Sequence, residues 1–68
     1  MKLREILGNN IVRYRNQANM TQMQLASAAE ISLSKLRHVE HGTGNTTVDV
    51  IERISYSLNV PPSDLFKN

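Results

Sequence analysis

The chain has 68 residues, which suits one domain spanning residues 1–68, and a domain of this size buries only a modest share of its surface. It contains no cysteine, so disulfide bonds and thiolate metal sites are excluded. Hydrophobic residues make up 40% of the chain, yet no apolar run is long enough to cross a bilayer, and the first residues lack the apolar segment of a signal peptide. We therefore expect a folded cytoplasmic protein that does not associate with membranes.

The formal net charge of +2 is unevenly distributed along the chain. Residues 1–48 hold six Lys or Arg and three acids, whereas residues 49–68 hold two bases and three acids. The first two thirds are therefore suited to contact a polyanion, and the last third is not. On charge alone, an ordinary solvated surface explains the same distribution equally well.

The first segment is predicted to form a helix that ends near Asn19, a residue type that tolerates the left-handed conformation at a helix C-terminus. Its apolar residues recur at gaps of three and four, which places them on one helical face. These residues are Leu3, Ile6, Leu7, Ile11, Tyr14 and Ala18.

A second helix is predicted to begin after Thr21, whose hydroxyl is suited to accept from an unpaired backbone N–H as an N-cap. The segment that follows is rich in alanine, which favours helix, and it carries a narrow apolar stripe. The stripe consists of Leu25, Ala26 and Ala29. Its small side chains permit close approach of a neighbouring helix.

A third helix is predicted at Ser32–His41, with Ser32 as its N-cap and Gly42 as its stop. Leu36 and Val39 are three residues apart and should face inward. Only Glu30 and Ile31 separate this helix from the second one, so the two helices must meet at a steep angle.

After a loop over residues 42–46, Thr47 is predicted to cap a fourth helix, and Pro61 or Pro62 to open a short fifth one. Leu65 and Phe66 would then return to the core. The expected inward residues of the fourth helix are Val48, Ile51, Ile54 and Leu58. The predicted fold is thus all-α with five short helices.

The ordered set of these features closely resembles the helix-turn-helix regulators of the phage-repressor and Cro type, the xenobiotic-response-element family. The resemblance covers roughly residues 8–66 and implies a lambda-repressor-like DNA-binding domain with its helix-turn-helix at helices 2 and 3. Two positions depart from the family pattern: Glu30 stands where the turn usually has Gly, and Thr46 where the loop usually has Pro. Glu30 is therefore expected to adopt a left-handed conformation at a cost of roughly 1 kcal/mol. The matching motif residues are Thr21-Gln22, Leu25-Ala26, Ile31-Ser32, Glu40-His41-Gly42, Asn45, Val48, Ile51, Ile54 and Leu58.

The resemblance implies that the third helix offers its N-terminal residues to base edges in the major groove. Lys35 is suited to donate to guanine, Ser34 to bond several bases, and Leu33 to pack on a thymine methyl. His38 lies one turn further along the same side and is a fourth candidate base contact. Leu33 also precedes Leu36 by three residues, so a place in the core remains an open alternative for it.

Phosphate groups are expected at helix N-termini and at the loop after the recognition helix. The first set consists of Thr21 and Gln22, and the second of Thr43 and Asn45. Arg37 is expected to lie towards the phosphate backbone. Thr21 caps the second helix whether or not the protein binds DNA, so its presence supports the fold more than the function.

The family also implies an ion pair between an Arg late in the first helix and the Glu that ends the third. Here these residues are Arg15 and Glu40, and we predict a partly buried pair that holds the recognition helix against the rest of the domain. The alternative is that both side chains are solvent-exposed and unpaired.

Sequence-specific binding of double-stranded DNA by a small transcriptional regulator, either a repressor or an activator, is therefore the expected function. One recognition helix contacts few base pairs, so we expect a homodimer on a palindromic operator with half-sites about 34 Å apart. The candidate dimer contacts are Tyr56, Val60, Pro61, Pro62 and Phe66. The alternative is a protein-interaction module, such as an antitoxin that uses the same fold to bind a partner protein.

An enzyme is not expected. His38 and His41 are three residues apart with Glu40 between them, which is not the His-Glu-x-x-His zinc spacing. We therefore expect no metal, no cofactor and no small-molecule ligand.

Overall fold

The computed structural model describes residues 2–68, and within this range the chain is all-α, without strands. The predicted fold class is therefore confirmed, but the count of five helices is slightly wrong, because the last element is a single 3-10 helix. This segment begins with Pro61 and Pro62, which lack N–H donors, and Asp64 N–H bonds the Pro61 carbonyl three residues back at 3.0 Å. The elements are α1 (Leu3–Gln17), α2 (Gln22–Ala28), α3 (Leu33–Glu40), α4 (Val48–Leu58) and the C-terminal 3-10 helix (Pro62–Phe66).

Hydroxyl caps set the starts of the three later α helices, as the sequence predicts. The hydroxyls of Thr21 and Ser32 each accept from a backbone N–H three residues on, at 3.0 Å, and that of Thr47 does so at 3.1 Å. At Thr21 the bond is reciprocal, since the Gln24 side chain accepts from the Thr21 N–H at 2.8 Å. These caps fix where α2 and α3 begin, and therefore which residues lie on the exposed side of α3.

Residues in the left-handed backbone conformation follow α1, end α4 and shape the turn between α2 and α3. Glu30 has a φ of 56°, as its place in the motif implies, and Asn59 ends α4 with a φ of 59°. Asn19 also has a positive φ, of 57°, but α1 ends at Gln17, two residues earlier than predicted. The left-handed conformation of Glu30 allows only four residues to separate α2 from α3.

The core lies between the helices, where α3 packs on α1 and α2, and where α4 packs on α1, α2 and the 3-10 helix. Its apolar members are Leu7, Ile11, Leu25, Ala26, Ala29, Leu36, Val39, Ile54, Leu58 and Leu65. Val48 was expected among them but is 75% exposed, because it is the first residue of α4 and the helix meets the core one turn later. Ser55 is fully buried in that part of the core, with its hydroxyl bonded to the Glu52 carbonyl at 2.8 Å.

Leu3 and Ala18, at the two ends of α1, were expected on its apolar face but are exposed. The buried stripe of α1 is thus confined to its middle turns, where the helix meets the other elements. None of the helices in residues 2–68 has the length and apolar character needed to span a membrane.

Candidate nucleic-acid interface

Helix α3 divides its residues between a buried and an exposed side. Leu36 is fully buried and Val39 is 5% exposed, as predicted. Ser34 and His38 are exposed, and Lys35 is partly exposed. Leu33 is also partly exposed and lies outside the set of residues that form the core, so it belongs with the exposed side of the helix.

The last residue of α3 is held by a buried ion pair. Arg15 Nε lies 2.7 Å from Glu40 Oε2, Arg15 Nη2 lies 3.3 Å from Oε1, and the Glu40 side chain is only 3% exposed. Arg15 Nη1 also donates to the Met20 carbonyl at 3.0 Å. A buried carboxylate needs such partners, so the pair fixes α3 relative to α1. The Asp49–Arg53 pair of α4, by contrast, is an exposed contact within one helix.

Gln22, the first residue of α2, extends this ion pair into a network. Its side-chain amide donates to Glu40 Oε1 at 2.8 Å and accepts from Arg37 Nε at 3.4 Å. The structure thus brings together two of the predicted phosphate contacts, Gln22 and Arg37, where α2 begins beside α3. Both polar ends of the Gln22 amide are engaged, so the residue also orients α2 relative to α3.

Gly8 permits the closest approach between α1 and α3. A Cβ atom at this position would lie 2.4 Å from the Glu40 carbonyl oxygen and 2.7 Å from that of Val39. Gly8 was not among the predicted functional residues, although a glycine inside an amphipathic helix is a signal of close backbone packing. The C-terminal end of α3 is therefore positioned by backbone contact as well as by the ion pair.

The loop after α3, residues 42–46, is shaped by two glycines and bonded to two helices. Gly42 and Gly44 have φ values of 73° and 71°. Thr43 N–H donates to the His38 carbonyl at 3.0 Å, and the Asn45 carbonyl accepts from Lys35 Nζ. These bonds bring two predicted base contacts, His38 and Lys35, beside the two predicted phosphate contacts of the loop.

Arg4 and Asn10 are two polar residues of α1 whose contacts the sequence analysis missed. Arg4 Nη2 donates to Asn45 Oδ1 at 2.6 Å, across 41 residues of sequence. The buried Asn10 amide donates to the carbonyls of Leu65 and Lys67, each at 2.8 Å. Arg4 therefore positions the loop, and Asn10 positions the C-terminal segment.

The predicted dimer contacts fall on two different parts of the surface. Tyr56, Val60 and Pro61, together with Asn59, line an open groove of about 310 Å³, and Tyr56 is 71% exposed. Phe66 instead lines a cavity of about 300 Å³ between α1, the loop and α4. Pro62 begins the 3-10 helix that links the two regions.

The described residues contain no cluster of three or more His, Asp or Glu side chains suited to hold a metal ion. Within residues 2–68, the exposed side of α3 presents the polar side chains of Ser34, Lys35 and His38. Its chemistry is that of hydrogen-bond donors and cations offered to a ligand.

Comparison with known proteins identifies the same domain. The chain matches a family model described as a helix-turn-helix domain over residues 6–65. Control protein C.BamHI of Bacillus amyloliquefaciens is 34% identical to it over 64 residues, which cover 93% of this chain and 79% of that protein.

Solved structures of regulators superpose closely on the chain. The restriction-modification controller protein C.AhdI from Aeromonas hydrophila does so with a TM-score of 0.89 at 24% identity, covering 93% of this chain and 96% of that one, and shows the shared fold. The clp gene regulator ClgR from Corynebacterium glutamicum does so with a TM-score of 0.87 at 25% identity, covering 93% of this chain and 67% of that one. The chain belongs to the helix-turn-helix domain family and is a DNA-binding transcriptional regulator of the Cro/C1 type.

Proposed function

We propose that this regulator binds a specific operator in double-stranded DNA by placing α3 in the major groove. The observation that carries the proposal is that one side of α3 is buried against the domain while the other side is exposed. Its buried side and its last residue are fixed to the domain by Leu36, Val39 and Glu40, while Ser34 and His38 face solvent. A helix held rigidly from behind can present a constant set of side chains to base edges.

The proposed base contacts are Leu33, Ser34, Lys35 and His38. Lys35 donates to guanine O6 or N7, and Leu33 packs on a thymine methyl. Because Leu33 lies outside the core, contact with the groove is favoured over a core role for it.

The proposed phosphate contacts lie on either side of these residues. Arg37 bonds Gln22 at the start of α2, next to the N-cap Thr21, and Thr43 and Asn45 lie in the loop beside His38 and Lys35. Two flanking sites of this kind set the register of the protein on the duplex without recognising sequence.

We infer that the protein acts as a homodimer on a palindromic operator. The molecule measures 28 × 21 × 19 Å, so two copies in contact can place their recognition helices about 34 Å apart, one helical turn of DNA. The exposed Tyr56 beside Val60 and Pro61 supports this face as the contact, and Pro62 begins the 3-10 helix that leads from it to Phe66, the remaining candidate. Similarity to a control protein favours a repressor or controller of gene expression that acts in the cytoplasm.

The deciding experiment is selection of bound sequences from a pool of random DNA duplexes, followed by titration of the selected site at increasing salt. We expect a palindromic consensus and affinity that falls steeply with salt. Lys35→Ala should relax preference at one base pair per half-site by roughly 5- to 150-fold. Arg37→Ala should weaken binding to all DNA sequences alike, and it should lower the slope of log affinity against log salt concentration by about one per subunit. Absence of any preferred sequence would overturn the proposal.

The dimer is tested separately by sedimentation of Tyr56→Glu, which introduces a charge into the proposed contact. We expect this variant to sediment as a monomer at concentrations where the wild type is dimeric. Asn9→Glu introduces the same charge on an exposed position of α1 and serves as the matched control. Equal dimerisation of both variants would place the contact elsewhere.

A further inference from the structure

We propose that Arg4 is a positioning residue for base recognition, acting through the loop at residues 42–46 on Lys35. This inference rests on the proposed role of Lys35 as a base contact. Arg4 lies outside the helix-turn-helix itself, at the start of α1, and it is exposed. A hydrogen-bonded connection from the Arg4 side chain to the recognition helix runs through Asn45.

Asn45 receives a hydrogen bond from each side. Its side-chain Oδ1 accepts from Arg4 Nη2 at 2.6 Å, and its backbone carbonyl accepts from Lys35 Nζ. Arg4 therefore positions Asn45, and Asn45 in turn positions the ammonium group of Lys35. The first bond is charge-assisted, which makes it stronger than a bond between neutral groups.

The tip of the loop, at Gly44 and Asn45, has little packing to hold it without these bonds. A Cβ atom added to Gly44 would find no heavy atom within 4 Å, and Asn45 is exposed. A cavity of about 300 Å³ lies beneath the loop, lined by Gly44, Asn45 and Thr46 on one side and by Arg4 on the other. The position of the Asn45 carbonyl thus depends on polar contacts rather than on burial.

The bond between Lys35 and the Asn45 carbonyl is expected to promote base recognition rather than to oppose it. A lysine ammonium carries three N–H donors, and the Asn45 carbonyl occupies one of them. The other two remain available to guanine O6 and N7 while the side chain is held in one orientation. A flexible lysine that is already oriented loses less conformational freedom on binding, so the bond to the loop promotes recognition.

The test compares Arg4→Gln with Lys2→Gln, which removes the same charge near the same end of α1. Relative affinities are measured for duplexes varied at each base pair of the selected half-site. We expect Arg4→Gln to reduce discrimination roughly two- to tenfold at the base pair that Lys35→Ala identifies, and at no other, with unchanged thermal stability. Lys2→Gln should preserve that discrimination, and Arg4→Lys should restore part of it.

The Asn45 side chain gives an independent check. Asn45→Ala removes the acceptor of Arg4 and should reproduce the loss of discrimination at that base pair, on top of the uniform loss of affinity expected from a phosphate contact. In discrimination at that base pair, the double variant should be no worse than either single one. Faster hydrogen exchange of the loop amides in both variants is the expected structural readout.

Several outcomes would overturn the inference, and they are distinguishable from failure of the proposed function. If Arg4→Gln weakens binding to all duplexes alike and lowers the salt dependence of affinity, Arg4 contacts a phosphate instead. If discrimination rises, the loop restrains Lys35 from binding. If Lys35→Ala itself alters no base preference, the assigned role of Lys35 is wrong and this inference falls with it.

Discussion

Replacing Gly8 with alanine tests whether the recognition helix is positioned by backbone contact with α1. The added Cβ would meet three backbone atoms of Val39 and Glu40 at 2.4 to 2.9 Å, and these atoms cannot move unless α3 moves. Overpacking of this kind costs about 3 kcal/mol, while alanine gains about 1 kcal/mol over glycine in helix propensity. We therefore expect a net loss of about 2 kcal/mol, a large part of the roughly 3–5 kcal/mol that a small core supplies.

The assay is equilibrium unfolding in urea, with operator binding measured on the folded fraction. Asn9→Ala is the matched control, because Asn9 is exposed on the same turn of α1 and the substitution gains helix propensity without a clash. We expect Asn9→Ala to be slightly more stable than the wild type. Gly8→Ala should also bind the operator more weakly, since α3 is displaced. A Gly8→Ala protein as stable as the wild type would refute the close-contact reasoning.

Four further substitutions test other features of the domain. Arg15→Ala and Glu40→Ala should each lower the free energy of unfolding by about 3 kcal/mol, and a double-mutant cycle should give a coupling energy above about 1 kcal/mol. The same cycle on the exposed Asp49–Arg53 pair of α4 should give less than about 0.5 kcal/mol. Asn10→Ala leaves two carbonyls of the C-terminal segment without their donor and should cost about 1–3 kcal/mol, with faster amide exchange confined to that segment at low denaturant. Glu30→Gly relieves a positive φ and should raise the midpoint of thermal unfolding by about 4–8 °C; an unchanged midpoint would show that Glu30 is not strained.

Local signals predicted most of the fold. The hydroxyl caps at Thr21, Ser32 and Thr47 act within three residues of sequence, so their pattern located the starts of α2, α3 and α4. The period of apolar residues likewise identified Leu36 and Val39 as buried. It failed at Val48, because periodicity assigns a face to each residue but does not show where along a helix the core ends.

Two polar contacts of α1 that local signals do not predict are long-range. Arg4 meets Asn45 across 41 residues, and Asn10 meets Leu65 across 55. No spacing rule connects such positions, since their proximity follows only from the packing of α1 against the rest of the domain. Gly8 is intermediate, because its presence in an apolar helix signals close packing but does not name the partner.

The two ends of α3 are held in different ways, and this bears on how such a domain acquires a new operator. At the C-terminal end, Glu40 bonds Arg15 and Gln22 and lies against Gly8. At the N-terminal end, Ser32 caps its own helix through a local bond at 3.0 Å. Because the residues that fix the helix differ from those on its exposed side, substitutions on that side can alter base preference at little cost in stability.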